Sequence, residues 1–290
     1  MLHIKFKLDQ TITKSTLVKT ALFKGGEPNP KLNDYQIDQI TQASKVLITA
    51  HLPDMNEAWS LLLTIDAVRR VDPSVVIEVF LPYIPFARQD RVCNPGEALG
   101  IAVFAKALNA FHVNAVYLLD PHSDTAVAQI ENSIIRPLHT CITESGAFPD
   151  IKDFKDIWLV APDAGAQKKV KALHTALGTA GYIVATKERN LETLDITSTR
   201  FDGDVKGKRL LVVDDICDGG RTFIALAKAL REQEPASLDL WVTHGIFSYG
   251  TEIVTEHYDS VCTTNSFQPT AVGQFDGKGE RNIKMNWVRV

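Results

Sequence analysis

The sequence predicts a doubly wound α/β protein in which helices flank mainly parallel sheets. Short runs of apolar and β-branched residues recur along the chain, and segments with the period of amphipathic helices separate them. Strands without polar alternation are typical of parallel sheets, because both faces of such sheets are buried. The composition agrees: 45% of the residues are hydrophobic and 23% are charged, the balance of a globular protein.

The predicted elements follow one another as strand and helix. The strands are expected at 45–49, 75–81, 115–119, 157–160, 182–185, 209–213 and 238–242. The helices are expected at 56–70, 96–109, 170–177 and 222–231. In the first of these helices Trp59, Leu62, Leu63 and Ile65 are expected to lie near one face. This alternation predicts βαβ units.

The strand–helix series runs twice, which predicts two domains. The segment at 144–154 (ESGAFPDIKDF) is polar, contains a proline and separates the two series. We therefore expect a boundary near residue 145, with an N-terminal domain at 1–145 and a C-terminal domain at 146–290.

Charge and cysteine content exclude several classes of protein. A formal net charge of −4 gives no indication of the basic surface that nucleic-acid binding requires. The four cysteines are scattered without a CxxC pair, which argues against a zinc ribbon or a disulfide framework and fits a reducing compartment. No run approaches the roughly 18–20 apolar residues of a membrane span. We expect a cytoplasmic protein with no nucleic-acid or membrane partner.

The most informative segment is 209–223, RLLVVDDICDGGRTF. An apolar strand leads into Asp214 and Asp215, then into a loop with Gly219 and Gly220, and Thr222 opens a helix. Glycines let the backbone approach a phosphate, and a helix N-terminus adds partial positive charge. Two carboxylates at the end of a strand are placed to accept hydrogen bonds from ribose hydroxyls. The sequence therefore predicts a sugar-phosphate site.

This segment resembles the phosphoribosyl-diphosphate loop of the type I phosphoribosyltransferase fold, D-D-x-x-D-[ST]-[GA]-G-T. The resemblance adds Asp218 to the loop and implies two domains of this fold, each a mainly parallel sheet flanked by helices. Arg221 stands where the pattern has its second glycine. It is interpreted either as a solvent-facing residue after a turn or as a further phosphate contact.

Polar segments follow other predicted strands, and each is weak evidence alone. They are ARQDR at 87–91, DPH at 120–122, APDAG at 161–165 and KER at 187–189. Together with FKGGE at 23–27, the 214–222 loop and THGIFS at 243–248, they resemble, in order, the ribose-phosphate diphosphokinase family. The similarity spans about residues 20–268.

The resemblance implies Mg²⁺-dependent transfer of the β,γ-diphosphate of ATP to the 1-hydroxyl of a 5-phosphorylated ribose, within a homo-oligomer (dimer or hexamer). ATP would be held by Arg88, Gln89 and Asp90, and by Phe23 and Glu27 of a neighbouring subunit. Metal would be positioned by His122 and Asp163. Transferring charge would be stabilised by Lys187 and Arg189. Ribose and its phosphate would be held by Asp214, Asp215, Asp218, Gly219, Gly220, Arg221 and Thr222.

Three departures from the family pattern leave alternatives open. Gly25 replaces an aspartate, Pro121 replaces a leucine and Arg221 replaces a glycine. One alternative is the same chemistry on ADP-ribose, whose diphosphate Arg221 would engage, giving ADP-ribosyl diphosphate for NAD synthesis or salvage. A phosphoribosyltransferase is disfavoured, because it has no need for the ARQDR and KER segments or for a second similar domain. A non-catalytic regulatory subunit is disfavoured, because Lys187, Arg189, His122 and Asp163 are intact.

Overall fold

The computed structural model describes residues 1–9, 11–144, 148, 153–189, 196–268, 273–276 and 284–288. The chain divides into two compact units, Met1–Pro137 and Leu138–Val290. The domain boundary predicted near 145 falls among residues 145–147, outside the described part of the chain.

The first unit contains a seven-stranded sheet and a separate two-stranded hairpin. Its strands are β1 (Leu2–Leu8), β2 (Thr11–Ile12), β3 (Thr16–Leu17), β4 (Lys19–Leu22), β5 (Pro28–Lys31), β6 (Lys45–Ala50), β7 (Val76–Leu81), β8 (Ala115–Leu119) and β9 (Ser133–Arg136). Its helices are α1 (Asp34–Gln42), α2 (Met55–Val71), α3 (Gly100–Asn109) and α4 (Asp124–Gln129). The order is β2-β1-β6-β7-β8-β9, with β3 also paired to β1, and β6 to β9 run parallel.

Alternate residues of these strands form the core of the first unit with one side of each helix. In α2, Leu62 and Ile65 are buried in this core. Trp59 and Leu63 are 59% and 40% exposed, so the expectation that all four share one face was wrong. At 3.6 residues per turn, Trp59 and Leu63 lie one turn apart on a separate stripe, which lines a groove beside the hairpin of β4 and β5.

The second unit contains an eight-stranded sheet. Its strands are β10 (Ile157–Ala161), β11 (Gly181–Arg189), β12 (Ile196–Phe201), β13 (Arg209–Cys217), β14 (Ser237–Gly245), β15 (Ser260–Thr264), β16 (Gly273–Asp276) and β17 (Lys284–Val288). Its helices are α5 (Leu138–Glu144), α6 (Gln167–Leu177), α7 (Arg221–Arg231) and α8 (Glu252–Thr255), with a 3₁₀ turn at Phe154–Asp156. The order is β12-β11-β10-β13-β14-β15-β17-β16, antiparallel only at its two ends.

The predicted fold class is confirmed in its architecture: both units contain mainly parallel sheets flanked by helices. The predicted strands and helices all form, with ends shifted by a few residues. β11 and β13 each continue four residues past their predicted ends, β11 because it pairs with the polar strand β12. Among the described residues, no helix combines the length and apolarity needed to cross a bilayer.

Candidate active site

Parallel pairing in the second unit brings three strand ends to one edge of the sheet. β13 lies between β10 and β14, with Val160 opposite Val212 and Asp214 opposite Val242. Chains leave parallel strands at the same edge, so the loops after β10, β13 and β14 are neighbours there. Asp163 belongs to the first loop, and the predicted sugar-phosphate loop is the second.

The two acids at the end of β13 lie in different surroundings. Asp215 is only 6% exposed, and its carboxylate Oδ1 lies 3.5 Å from Nζ of Lys169 on α6. Asp214 accepts a hydrogen bond from the backbone N–H of Asp215 at 2.9 Å. Burial, with the neighbouring charge of Asp215, raises the pKa of Asp214 well above its usual value, and the Lys169 ammonium opposes this.

Lys169 is a residue that the sequence did not single out. It lies within KKVK on an amphipathic helix, where lysines usually face solvent. The one indication in the sequence was that Lys169 falls in the first turn of the helix that follows the APDAG segment. Its side chain is 20% exposed, and only the tertiary structure places it against the acid pair.

The loop after β13 has the geometry of an anion site. Gly220 has φ +74° and directly precedes α7, which begins at Arg221 rather than at the predicted Thr222. The left-handed backbone turns the chain sharply into the helix, whose N-terminal N–H groups favour a phosphate. Arg221 is exposed at this first helical position, and Thr222 is half-buried.

The THGIFS segment supports this loop from the adjacent strand. The N–H groups of Ile246 and Phe247 donate to the carbonyl of Cys217 at 2.9 and 3.1 Å. The hydroxyl of Ser248 donates to the Asp218 carboxylate at 2.7 Å. Ser248 therefore orients Asp218, and the THGIFS motif alone did not reveal this role of Ser248.

Cys217 is excluded as a nucleophile. Burial, with the charges of Asp214 and Asp218, raises the pKa of its thiol to about 12. A thiol must ionise to attack, so this side chain stays inert at neutral pH.

Asp163 suits a hard cation, although the described residues contain no ready-made metal cluster. Its Oδ1 accepts from the N–H of Ala166 at 3.2 Å, which orients the carboxylate. No group of three or more His, Cys, Asp or Glu side chains converges within the described part of the chain. That is compatible with Mg²⁺, which commonly binds one or two carboxylates and takes its other ligands from water and substrate phosphates.

Lys187 and Arg189 lie at the end of β11, paired with β12 across a register shift at Glu188/Arg189. The side chains of 187–189 and all of residues 190–195 lie outside the described part, so the role expected of Lys187 and Arg189 stays a prediction.

In the first unit, the loops after β7 and β8 meet at Asp90. This carboxylate is 8% exposed. Burial alone would raise its pKa, but hydrogen bonds from Ser123 and Arg91, with the charges of Arg91 and His122, hold the pKa below its usual value. Asp90 and His122 are thus brought together, and Ser123, which also caps α4, was not anticipated.

Arg88 and Gln89 lie exposed on the same loop as Asp90. Phe23 and Glu27 lie at the tip of the β4–β5 hairpin, where the N–H of Phe23 donates to the carbonyl of Glu27 at 2.9 Å. Phe23 is 60% exposed. The hairpin tip and α2 line an open groove of about 460 Å³.

Comparison with known proteins agrees with this geometry. Residues 145–275 match the model of the phosphoribosyl transferase domain. A ribose-phosphate pyrophosphokinase from Aquifex aeolicus is 31% identical over 241 residues, covering 78% of this chain and 70% of the relative. Another, from Granulibacter bethesdensis, is 29% identical over 208 residues; the match covers 71% of this chain and 65% of that relative, slightly under two thirds of its length.

A solved structure shares the fold. It is the phosphoribosylpyrophosphate synthetase from Mycobacterium smegmatis, with a TM-score of 0.71 and 22% identity over 94% of this chain and 86% of that one.

The Gly220→Ala variant is expected to destabilise the second unit. A left-handed backbone costs a non-glycine residue roughly 1–2 kcal/mol, and the new Cβ would lie 2.6 Å from Cγ2 of Val254. Gly178→Ala is the matched control, because Gly178 has φ +65° with open space around it. Urea unfolding followed by circular dichroism should show a larger loss for the Gly220 variant. Equal losses would contradict the predicted clash.

Proposed function

Because the chain belongs to the ribose-phosphate pyrophosphokinase family, we propose that it transfers the β,γ-diphosphate of ATP to the 1-hydroxyl of ribose 5-phosphate. The products are phosphoribosyl diphosphate and AMP. The observation that carries the proposal is the acid pair at the end of β13, followed directly by a glycine loop and a helix N-terminus.

The second unit supplies the groups needed to hold the sugar. The Asp214 and Asp215 carboxylates suit the ribose hydroxyls, which donate hydrogen bonds. The loop from Asp218 to Gly220 and the first turn of α7, with Arg221 and Thr222, suit the 5-phosphate. Ser248 keeps the loop in place through Asp218.

ATP is assigned to the first unit. Arg88, Gln89 and Asp90 would hold the adenine and triphosphate, and the ordered Asp90 carboxylate ties their loop to that of His122. Phe23 and Glu27 would complete the site from a neighbouring copy in a homo-oligomer. His122 in the first unit and Asp163 in the second are each proposed as a Mg²⁺ contact, and this cation would neutralise charge on phosphate oxygens. A carboxylate, such as that of Asp163, is a more usual ligand of Mg²⁺ than an imidazole, such as that of His122.

The reaction is an in-line displacement. The 1-hydroxyl oxygen forms a bond to the β-phosphorus, the bond from that phosphorus to the α,β-bridging oxygen breaks, and the hydroxyl proton is released to water. AMP leaves with the bridging oxygen. Such transfers depend on alignment and charge neutralisation more than on covalent help. Lys187 and Arg189 would stabilise negative charge on the transferring group.

ADP-ribose is the second candidate acceptor, and Arg221 is the observation that favours it. This residue is exposed at the first position of α7, where the phosphate loop ends. Its planar fork matches phosphate oxygens. A 5-diphosphate would extend past the loop into solvent, where an exposed guanidinium can meet it.

The direct test is to incubate the protein with MgATP and either sugar. We expect AMP release with ribose 5-phosphate and a product heavier by one diphosphate group in mass spectrometry. Turnover of ADP-ribose alone would favour the second candidate. No AMP with either sugar would contradict the proposal and favour a non-catalytic subunit.

The Arg221→Ala variant separates the two acceptors. If Arg221 binds a 5-diphosphate, kcat/KM for ADP-ribose should fall about 10–100-fold, the value of a charged hydrogen bond. Use of ribose 5-phosphate should change much less. Arg221→Lys keeps the positive charge but not the planar pair of guanidinium donors, so its kcat/KM for ADP-ribose should be intermediate. Equal effects on both sugars would count against a role in acceptor choice.

Replacing Lys187 or Arg189 with alanine should lower kcat about 10²–10³-fold, as for other preorganised stabilisers of transition-state charge. The KM values should change less. Lys206→Ala is the control, because this exposed lysine lies elsewhere in the unit, paired with Glu234. Initial rates of AMP formation measure the effect, and near-normal kcat in both variants would remove these residues from the mechanism.

A further inference from the structure

We propose that Lys169 is a positioning residue of the sugar site: its ammonium anchors Asp215 and so keeps the Asp214–Asp215 pair able to accept the ribose hydroxyls. The proposal rests on the proposed function, since it assumes that the pair binds a sugar. Lys169 belongs to none of the motifs that carry the family resemblance.

The two acids are neighbours at the end of β13, and a side-chain hydrogen bond links their carboxyl groups. Leu210 and Val212 of the same strand pack in one core cluster with Phe223 and Leu226 of α7. The Lys169 Nζ lies 3.5 Å from Oδ1 of Asp215. The ammonium therefore contacts the acid pair directly at Asp215.

The two acids differ in exposure, which gives them different tasks. The Asp215–Lys169 pair is nearly enclosed, with the side chains 9% and 20% exposed. Buried charges are retained in proteins when they are paired. Asp214 is the more exposed acid and adjoins the loop that leads to the phosphate-binding helix, so it is the direct sugar contact. Asp215 orients Asp214, since the backbone N–H of Asp215 donates to the Asp214 carboxylate.

Without the ammonium, the pair would be two adjacent acids in a poorly solvated place. Burial and mutual repulsion already raise the pKa of Asp214, and Lys169 is the cation that opposes this. Its loss would favour protonation or displacement of one acid. Either change removes an acceptor for the ribose hydroxyls and leaves the ATP residues of the first unit untouched.

Three variants test the positioning role. Lys169→Met removes the charge, Lys169→Arg keeps it, and Lys171→Met removes an equal charge from an exposed place on the same helix. AMP formation is measured with ribose 5-phosphate varied at saturating MgATP, and then the reverse. We expect Lys169→Met to raise the sugar KM about 10–100-fold, the usual effect of losing a supporting partner. The KM for ATP should stay within about twofold.

The conservative variant and the control complete this test. Lys169→Arg should restore most of the sugar affinity, and Lys171→Met should behave as the wild type. An unchanged sugar KM in Lys169→Met, or an equal rise in the KM for ATP, would overturn the proposal.

A double-mutant cycle guards against simple misfolding. Asp215→Asn combined with Lys169→Met removes both charges of the ion pair, so neither partner is left charged without the other. If the two residues act as a unit, the double variant should bind sugar about as weakly as the worse single variant. If the losses of sugar affinity in the two single variants multiply in the double variant, the two residues act independently. That result would overturn the proposal.

Calorimetric titration of ribose 5-phosphate separates this proposal from the proposed function. A wild-type protein that releases no AMP contradicts the diphosphotransfer. Its sugar affinity, compared with that of Lys169→Met, still decides the role of Lys169: a loss of about 10-fold or more supports the anchor, and equal affinity overturns it.

Discussion

The site of the second unit depends on the parallel pairing of β13 with β10 and β14. Parallel strands end at one edge, so the loops carrying Asp163, the acid pair and Ser248 are neighbours, although up to 85 residues separate them in the chain. Leu210, Leu211, Val212 and Val213 of β13 are fully buried, and this packing anchors the strand that carries the two acids. The rigid strand therefore presents both carboxylates in a defined direction.

Desolvation shapes the chemistry at that edge. The same burial that orders Asp214 and Cys217 makes their charged forms costly. The buried thiol is therefore inert. The charge of Lys169 opposes the rise in the pKa of Asp214, and its ammonium lies 3.5 Å from Asp215. Ionised acceptors in a partly dry site gain strength from the low local dielectric, which suits the binding of sugar hydroxyls.

In the first unit, hydrogen bonds stabilise a buried carboxylate. Asp90 is as enclosed as Asp215, yet Ser123 and Arg91 keep its pKa low, and His122 adds its charge. Two loops from adjacent parallel strands are thereby joined at one carboxylate. The sequence indicated Asp90 and His122 as separate candidates. It offered no sign that Ser123 would link them, because the serine also reads as an ordinary helix cap.

The strand–helix series, the glycine loop after Asp214 and Asp215, and the order of the polar segments could all be predicted from the sequence. These are local properties: hydrophobic period, backbone freedom at glycine and residue type at a strand end. Three features could not be predicted in this way: Lys169 faces Asp215, Ser248 donates to Asp218, and Trp59 and Leu63 lie outside the core. Each depends on how distant elements pack. A lysine on an amphipathic helix has the same local signature whether solvent or a buried carboxylate lies opposite it.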